Sequence, residues 1–327
     1  MTVTLEHIQQ ASERLYGVAI RTPLLRSAHL NTRLGGKVFI KPECLQHIGA
    51  FKFRGAYNRL SQIEESCKKA GVVAFSSGNH AQGIAYAAQL LDMPATIVMP
   101  TDAPEVKKEG TKNLCATIQY YNRFTESRED IAADIAAKTG AILVPAFEDV
   151  DIIAGQGTCA LEILQQLDDE KLSIDHLLSP VGGGGLLAGS STAVKSMSSS
   201  TKVYGVEQEN FEDHYLSKQA GKRVAVDGTK ATLCDALMAT TPGELTWSIN
   251  SRNVDDYLVV SDDAVAHAIS YAFRYLKIVV EPGGAVALAA LLQGKLDITG
   301  SSAAIIVSGG NIDRKTFESC LNKHPSP

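Results

Sequence analysis

The chain has no apolar run approaching the roughly 20 residues that cross a bilayer. It also has no block of basic residues and no CxxC pair. The first lack excludes a membrane-spanning helix. The second, with a formal net charge of -5, makes nucleic acid and anionic membranes unsuitable partners. Residues 1–10 do not read as a basic-then-apolar export signal, because Glu6, His7, Gln9 and Gln10 sit where such a signal is apolar. The six cysteines (Cys44, Cys67, Cys115, Cys159, Cys234 and Cys320) are scattered, which argues for reduced thiols in a cytoplasmic protein. Repeats, low-complexity tracts and linkers are also missing, so any two domains must share a tight interface.

What remains is ordinary globular composition: 327 residues, 45% hydrophobic and 20% charged, enough for one large or two closely packed domains. Leu5, Ile8, Ala11 and Leu15 share one helical face, with Thr4 as the cap. From Val38 onward, short apolar runs alternate with helically spaced segments. Strands are expected near residues 38–40, 72–75, 95–99, 117–121, 141–144, 177–178, 203–206, 257–260 and 303–307. Helices are expected between them, for example over 81–91, 127–138, 158–167, 262–276 and 285–293. This alternation predicts an α/β fold of open, mostly parallel twisted sheets flanked by helices on both faces. A smaller unit over residues 70–147 is expected within a larger one made of 1–65 and 148–327.

The chain is organised around Gly49-Ala50-Phe51-Lys52-Phe53-Arg54-Gly55-Ala56, at a strand-to-helix junction. Aromatic neighbours are expected to desolvate Lys52, which disfavours the ammonium and makes a better nucleophile near neutral pH, suited to an imine with an aldehyde cofactor. Taken alone, Phe-Lys-Phe reads more readily as core positions with a snorkelling lysine. Further stretches sharpen the choice, three of them directly after predicted strands, where open α/β sheets bind ligands.

Ser76-Ser77-Gly78-Asn79-His80 opens a helix whose free N–H groups attract a carboxylate, and it is also an ordinary cap and turn. Pro180-Val181-Gly182-Gly183-Gly184-Gly185-Leu186 lets backbone N–H groups surround a phosphate; it also satisfies a loose dinucleotide pattern, which leaves a nicotinamide-dependent oxidoreductase open. Ser308-Gly309-Gly310-Asn311 offers a hydroxyl for a heteroaromatic nitrogen, or a simple turn. Glu281-Pro282-Gly283-Gly284 is explained equally well as a helix entry.

In this order, and over nearly the whole chain, the motifs resemble the pyridoxal-phosphate enzymes of the tryptophan-synthase β-like group (fold type II). Within that group they resemble the serine/threonine dehydratase and serine racemase branch. The resemblance implies a homodimer with pyridoxal 5'-phosphate in a cleft between a large and a small domain. It implies Lys52 as the Schiff-base lysine, Phe51 beside the cofactor ring, and Asn79 on the ring hydroxyl. Gly182, Gly183, Gly184, Gly185 and the Leu186 amide would hold the phosphate, and Ser308 would face the pyridine nitrogen. Ser76, Ser77, Gly78, Asn79 and His80 would bind the substrate, with Ser77 acting on the face opposite Lys52.

Glu207, the Phe211 carbonyl and Asp213 match the divalent-cation site of racemase-like members. Oxygen ligands of this kind suit Mg²⁺ or Ca²⁺. From the residues alone, Glu207 and Asp213 read as surface acids. The last motif lies close to residue 327, so the C-terminal regulatory domain of biosynthetic threonine dehydratases is not expected.

Three departures stand out. Ala50 replaces a common serine, and His47-Ile48 stands where nucleotide-activated racemases are basic and hydroxylated. Leu233-Cys234-Asp235-Ala236-Leu237 occupies a stretch that is often Ser/Gly-rich near the substrate. The function implied is dehydration and deamination of a 3-hydroxyamino acid such as serine, threonine or 3-hydroxyaspartate. Racemisation is the alternative, and a cofactor carrier without turnover is a further one.

Overall fold

The structure is a computed structural model that describes residues 2–103 and 105–326. Among the described residues ten strands form two sheets: β1 (Leu25–Arg26), β2 (Lys37–Pro42), β3 (Val72–Phe75), β4 (Ala95–Pro100), β5 (Thr117–Tyr121), β6 (Ile142–Leu143), β7 (His176–Pro180), β8 (Lys202–Gln208), β9 (Asp256–Val260) and β10 (Ser302–Val307). The larger sheet runs β1-β2-β10-β7-β8-β9 and the smaller β5-β4-β3-β6. Every pairing is parallel except the short edge pair β1–β2.

Alternation along the strands explains why both faces are covered. In β2, Val38 and Ile40 enter one core and Phe39 the other; in β10, Ile305 and Val307 oppose Ala304 and Ile306. In the smaller sheet, Val72 and Ala74 face one core while Val73 faces another. Successive side chains point to opposite faces, so an all-apolar run belongs to a strand buried on both sides.

Strand order locates the places where a ligand can enter. In the larger sheet the chain proceeds outward from β7 through β8 to β9, whereas β10 returns on the other side of β7. The smaller sheet repeats the arrangement, with β3, β4 and β5 on one side and β6 on the other side of β3. Each reversal opens a crevice beyond the C-terminal ends of its two central strands. One crevice lies between the loops after β7 and β10, the other between those after β3 and β6.

Two helices are drawn together by a third. The 19-residue helix Val150–Asp168, capped by Asp149, carries Gly155 and Gly157. A Cβ on Gly155 would lie 2.6 Å from the Gly55 Cα, and one on Gly157 would lie 2.9 Å from the Gly189 carbonyl oxygen. Glycine therefore lets Val150–Asp168 press directly on Lys52–Leu60 and on Gly185–Met197, the helices that follow the lysine and tetraglycine motifs. The buried face of Lys52–Leu60 (Phe53, Ala56, Leu60) joins the core of the smaller sheet.

The helix expected over 262–276 is regular as Asp262–Tyr271 and widens into a π-helical turn, Ala272–Leu276, ending at Lys277 with φ of 60°. Among the described residues no helix is long and apolar enough to cross a membrane.

Candidate active site

Lys52 is the first residue of its helix, next to the bridge that Ala50 makes with Gly309. Its Nζ donates to the Ala146 carbonyl at 3.0 Å and lies 5.2 Å from the centre of the Phe51 ring. Burial pushes its pKa down to about 8.

The helix behind it is anchored by a buried ion network. Arg54 donates through Nε and Nη2 to Glu43 at 2.7 and 2.8 Å, and through Nη1 and Nη2 to Glu162 at 2.7 and 2.9 Å. Lys41 reaches Glu162 at 2.6 Å. Burial works against the Arg54 cation, but Glu43 and Glu162 outweigh it and hold its pKa well above the ordinary value.

The loop after β3 faces Lys52 across the stretch after β6. His80 Nε2 lies 3.1 Å from the Val144 carbonyl, two residues from the lysine's partner. Burial, and then the Lys52 charge, lower the His80 pKa to about 3, so the ring is neutral. Nε2 must carry the proton it gives Val144, and buried Nδ1 is left as an acceptor with no partner. Ser76 Oγ accepts from the Gly78 N–H at 3.1 Å. A Cβ on Gly78 would meet nothing within 4 Å, so the loop borders open space there. Ser77 is half-buried in the same loop.

Asn79 is fixed at both ends: Nδ2 donates to Glu281 Oε1 at 2.6 Å and Oδ1 accepts from Asn311 Nδ2 at 2.8 Å. Burial raises the Glu281 pKa to about 7. The buried Ser308 follows β10, and its carbonyl accepts from the Phe51 N–H at 3.0 Å, which locks the β10 loop to the lysine segment.

The tetraglycine loop follows β7 and becomes the helix Gly185–Met197. Gly184 has φ of 90°, and a Cβ there would lie 2.9 Å from both His214 and Asn250, so both backbone angle and space require glycine. A Cβ on Gly183 would fall 2.3 Å from the Phe147 ring, and Phe147 directly follows the residue that holds Lys52. Thr246 Oγ1 donates to the Gly183 carbonyl at 2.8 Å and Asn250 Nδ2 to the Gly184 carbonyl at 3.3 Å. The N–H groups of the first helical turn, Gly185 and Leu186 among them, have no intrahelical acceptor and are available to an anion.

The structure thus gathers Phe51, Lys52, residues 76–80, 182–186 and Ser308 around two adjoining crevices. It places Glu207, Phe211 and Asp213 elsewhere, behind the tetraglycine loop. Glu207 and Asp213 are buried, contrary to the surface position their sequence suggests. Glu207 is turned inward because its Oε1 and Oε2 accept the N–H groups of His214 and Tyr215 at 2.9 and 2.8 Å, capping the helix Asp213–Ala220. Burial, and next the Asp213 charge, raise the Glu207 pKa; burial also raises that of Asp213, whose Oδ2 has no partner. No group of three His, Cys, Asp or Glu side chains able to hold a metal occurs among the described residues.

Sequence reasoning gave no site role to Glu281, Asn311, Arg54 or Phe147. Glu281 carried one signal, an acid directly before Pro-Gly-Gly; Asn311 and Arg54 stood inside motifs without a role of their own, and Phe147 carried none.

A family model described as "Pyridoxal-phosphate dependent enzyme" matches residues 16–309. The chain is 46% identical over 312 residues to an L-threo-3-hydroxyaspartate ammonia-lyase from Pseudomonas sp, covering 95% of this chain and 96% of that one. It is 43% identical to an L-threonine ammonia-lyase from Thermotoga maritima, covering 98% and 79%. The solved structure of maize serine racemase superposes with a TM-score of 0.92 at 36% identity, covering 99% of this chain and 98% of the other.

Proposed function

The chain belongs to the pyridoxal-phosphate-dependent enzyme family, and from that premise we propose that it removes the β-hydroxyl and the amine of a 3-hydroxyamino acid, giving a 2-oxo acid and ammonia. The observation that carries this reading is Lys52: a half-buried amine with its pKa lowered to about 8 by desolvation, without a carboxylate partner among the described residues, between the two crevices. The residues present fit the cofactor. Four glycines and a helix N-terminus offer N–H groups to a phosphate, and the lysine offers an amine to an aldehyde.

When bound, pyridoxal phosphate supplies an aldehyde carbon for amines and an electron sink for charge developing at the substrate Cα. The loop 182–186 would hold the phosphate. Phe51 and Asn79 would fix the ring, and Ser308 would meet its nitrogen with a hydroxyl rather than a full negative charge, which favours expulsion of the β-hydroxyl. Backbone N–H groups of 76–80 would hold the substrate carboxylate. Lys52 Nζ, whose pKa is lowered to about 8 by desolvation, would take the Cα proton. The proton and hydroxide leave as water, and hydrolysis of the resulting enamine consumes one water and releases ammonia and the 2-oxo acid.

Racemisation is the second reading, favoured by Ser77 in a loop that borders open space. Ser77 would then serve the face opposite Lys52.

The Glu207–Asp213 pair fits a divalent cation such as Mg²⁺ or Ca²⁺. Two buried carboxylates lie together and one buried oxygen, Asp213 Oδ2, is without a partner. The Phe211 carbonyl would complete the protein's oxygen set. We assign residues 70–147 to a smaller domain and 1–65 with 148–327 to a larger one, with the cofactor in the cleft between them. Two copies are expected to pair, supported by the exposed Phe273, Tyr275 and Val279, of which Phe273 and Val279 line a cavity of about 310 Å³. Six free cysteines suit the cytoplasm.

The test is keto-acid and D-amino-acid release from L-serine, L-threonine and L-threo-3-hydroxyaspartate, run beside Lys52→Ala. Keto acid from the wild type but not the variant supports elimination. D-enantiomer in excess of keto acid supports racemisation, and neither product from any substrate refutes both.

A further inference from the structure

Glu281 is a buried acid to which the proposed mechanism gives no task. A side-chain amide can sit in two orientations that exchange its oxygen and nitrogen, and only its partners decide between them. For Asn79 the decision propagates through four groups. The Ile48 carbonyl can only accept, so the nitrogen of Asn311 faces it, at 2.8 Å. The same nitrogen then meets Asn79 through Oδ1, at 2.8 Å. Asn79 Nδ2 is thereby turned to Glu281 Oε1 at 2.6 Å, and one of its two N–H bonds is used there. The second is free.

The neighbouring glycines make room for the chain of bonds. A Cβ on Gly309 would lie 2.1 Å from Glu281 Oε1 and 3.2 Å from Asn79 Nδ2, and one on Gly284 would lie 2.4 Å from the Gly309 carbonyl oxygen. The Glu281 N–H in turn donates to that carbonyl at 3.0 Å. Ser308-Gly309-Gly310-Asn311 therefore supplies both the clearance and one member of the relay.

We propose that Glu281 is a positioning residue that, with Asn311, locks the Asn79 amide with one Nδ2–H aimed into the cleft at the ring oxygen of bound pyridoxal phosphate. The inference rests on the reading that Asn79 faces that ring. A donor fixed there favours the ring oxygen as an anion over the neutral hydroxyl. This is the form of the lysine-linked cofactor that absorbs in the visible. Glu281 is thus required as an acceptor, whether or not it is charged, and its effect on the cofactor passes through Asn79.

The experiment is a double-mutant cycle on the full chain with Glu281→Ala, Asn79→Ala and both together, and with Glu281→Gln as the conservative variant. Two quantities are read besides turnover: the dissociation constant of pyridoxal phosphate titrated into apo-protein, and the absorbance of the bound cofactor. Losing a hydrogen bond to a charged oxygen corresponds to a weakening of about tenfold to a hundredfold. That loss, with a shift of absorbance from the visible to the near-ultraviolet, is expected for Glu281→Ala and for Asn79→Ala alike. The double variant should be no worse than Asn79→Ala. Glu281→Gln, whose amide oxygen still accepts, should keep the wild-type spectrum. If Glu281→Ala does not fold, Glu281→Leu, which fills the space without an acceptor, replaces it in the cycle.

Additive losses overturn the proposal, as does a Glu281 variant that melts early yet keeps the wild-type spectrum and affinity. In either case a changed spectrum in Asn79→Ala leaves the cofactor reading standing. An unchanged spectrum in Asn79→Ala removes the placement of Asn79 on the ring, and this inference with it.

Discussion

Replacing Lys52 by methionine should stabilise the cofactor-free protein at neutral pH. The lysine's pKa falls from 10.5 to about 8 because burial penalises its charged form. At about 1.4 kcal/mol per pH unit this is a cost of about 3 kcal/mol carried by the folded state while the amine is protonated. The cleft-facing side of Nζ keeps some contact with water, so about 3 kcal/mol is a ceiling. The unfolded chain binds more protons than the folded one between pH 8 and 10.5, so wild-type stability must rise with pH across that window. Methionine has a similar shape and no charge. It removes the penalty but also the bond to the Ala146 carbonyl, worth about 1 kcal/mol.

The variant should therefore be more stable by up to about 2 kcal/mol at pH 7, lose its advantage through the window, and be the weaker protein above pH 10.5. Thermal melts of the two apo-proteins followed by circular dichroism at pH 7 and pH 10 measure this. At about 2 °C per kcal/mol for a chain of this size, the neutral-pH gap is at most roughly 4 °C. A gap that is absent at pH 7, or the same at both pH values, refutes a desolvated lysine. The cost is tied to function, since lowering the pKa to about 8 raises the neutral-amine fraction at pH 7 roughly 300-fold.

Ser77→Ala should keep a measurable share of L-substrate elimination while losing D-substrate elimination and racemisation by about 10²–10⁴; a variant that interconverts enantiomers at the wild-type rate reduces Ser77 to a loop residue. Chelator should lower both melting temperature and activity, with Mg²⁺ or Ca²⁺ restoring them, and about 2.7 kcal/mol of stabilisation at a concentration 100 times Kd. Superimposable melts with and without chelator at saturating cofactor remove the cation. Arg54→Ala leaves Glu43 and Glu162 facing each other with only Lys41 to offset them, and should cost about 3–5 kcal/mol in urea unfolding. An unchanged midpoint would show that the network carries no net stability.

The parts of this site that the sequence announces are those specified by neighbours along the chain. Strands β3 and β10 were legible because each is a short apolar run followed at once by Ser/Gly turn residues, the pattern of a strand buried on both faces. The tetraglycine loop was legible because helix Gly185–Met197 begins within it and Gly184 needs a left-handed backbone. The two-residue edge strand β1 offered too little pattern to find. The widened turn at Ala272–Leu276 keeps the composition of the regular helix before it, so nothing local marks it.

Charged residues were misjudged for a different reason: their burial is decided by partners far away in the chain. Asn79 meets Glu281 across 202 positions, and Arg54 meets Glu162 across 108. An isolated Glu reads as exposed because most are, which is how Glu207 and Asp213 were taken for surface acids.

Once those partners are known, buried charge divides into two kinds. Lys41, Arg54, Glu43 and Glu162 balance one another, two cations against two anions, each hydrogen-bonded to a member of opposite sign. Such a set satisfies its own desolvation and can serve as scaffold. Lys52 has only a carbonyl, Glu281 only an amide side chain and a backbone N–H, and Glu207 with Asp213 only backbone N–H groups and each other. A fold that encloses charge without its complement carries an electrostatic cost, and the cost is relieved only when something else supplies what is missing. An amine without an anion suits an aldehyde that turns it into an imine or a substrate proton it can take up. Paired carboxylates without a cation suit a metal. On this argument, charge balance rather than burial alone separates the acids and bases that hold this protein together from those proposed to work in it.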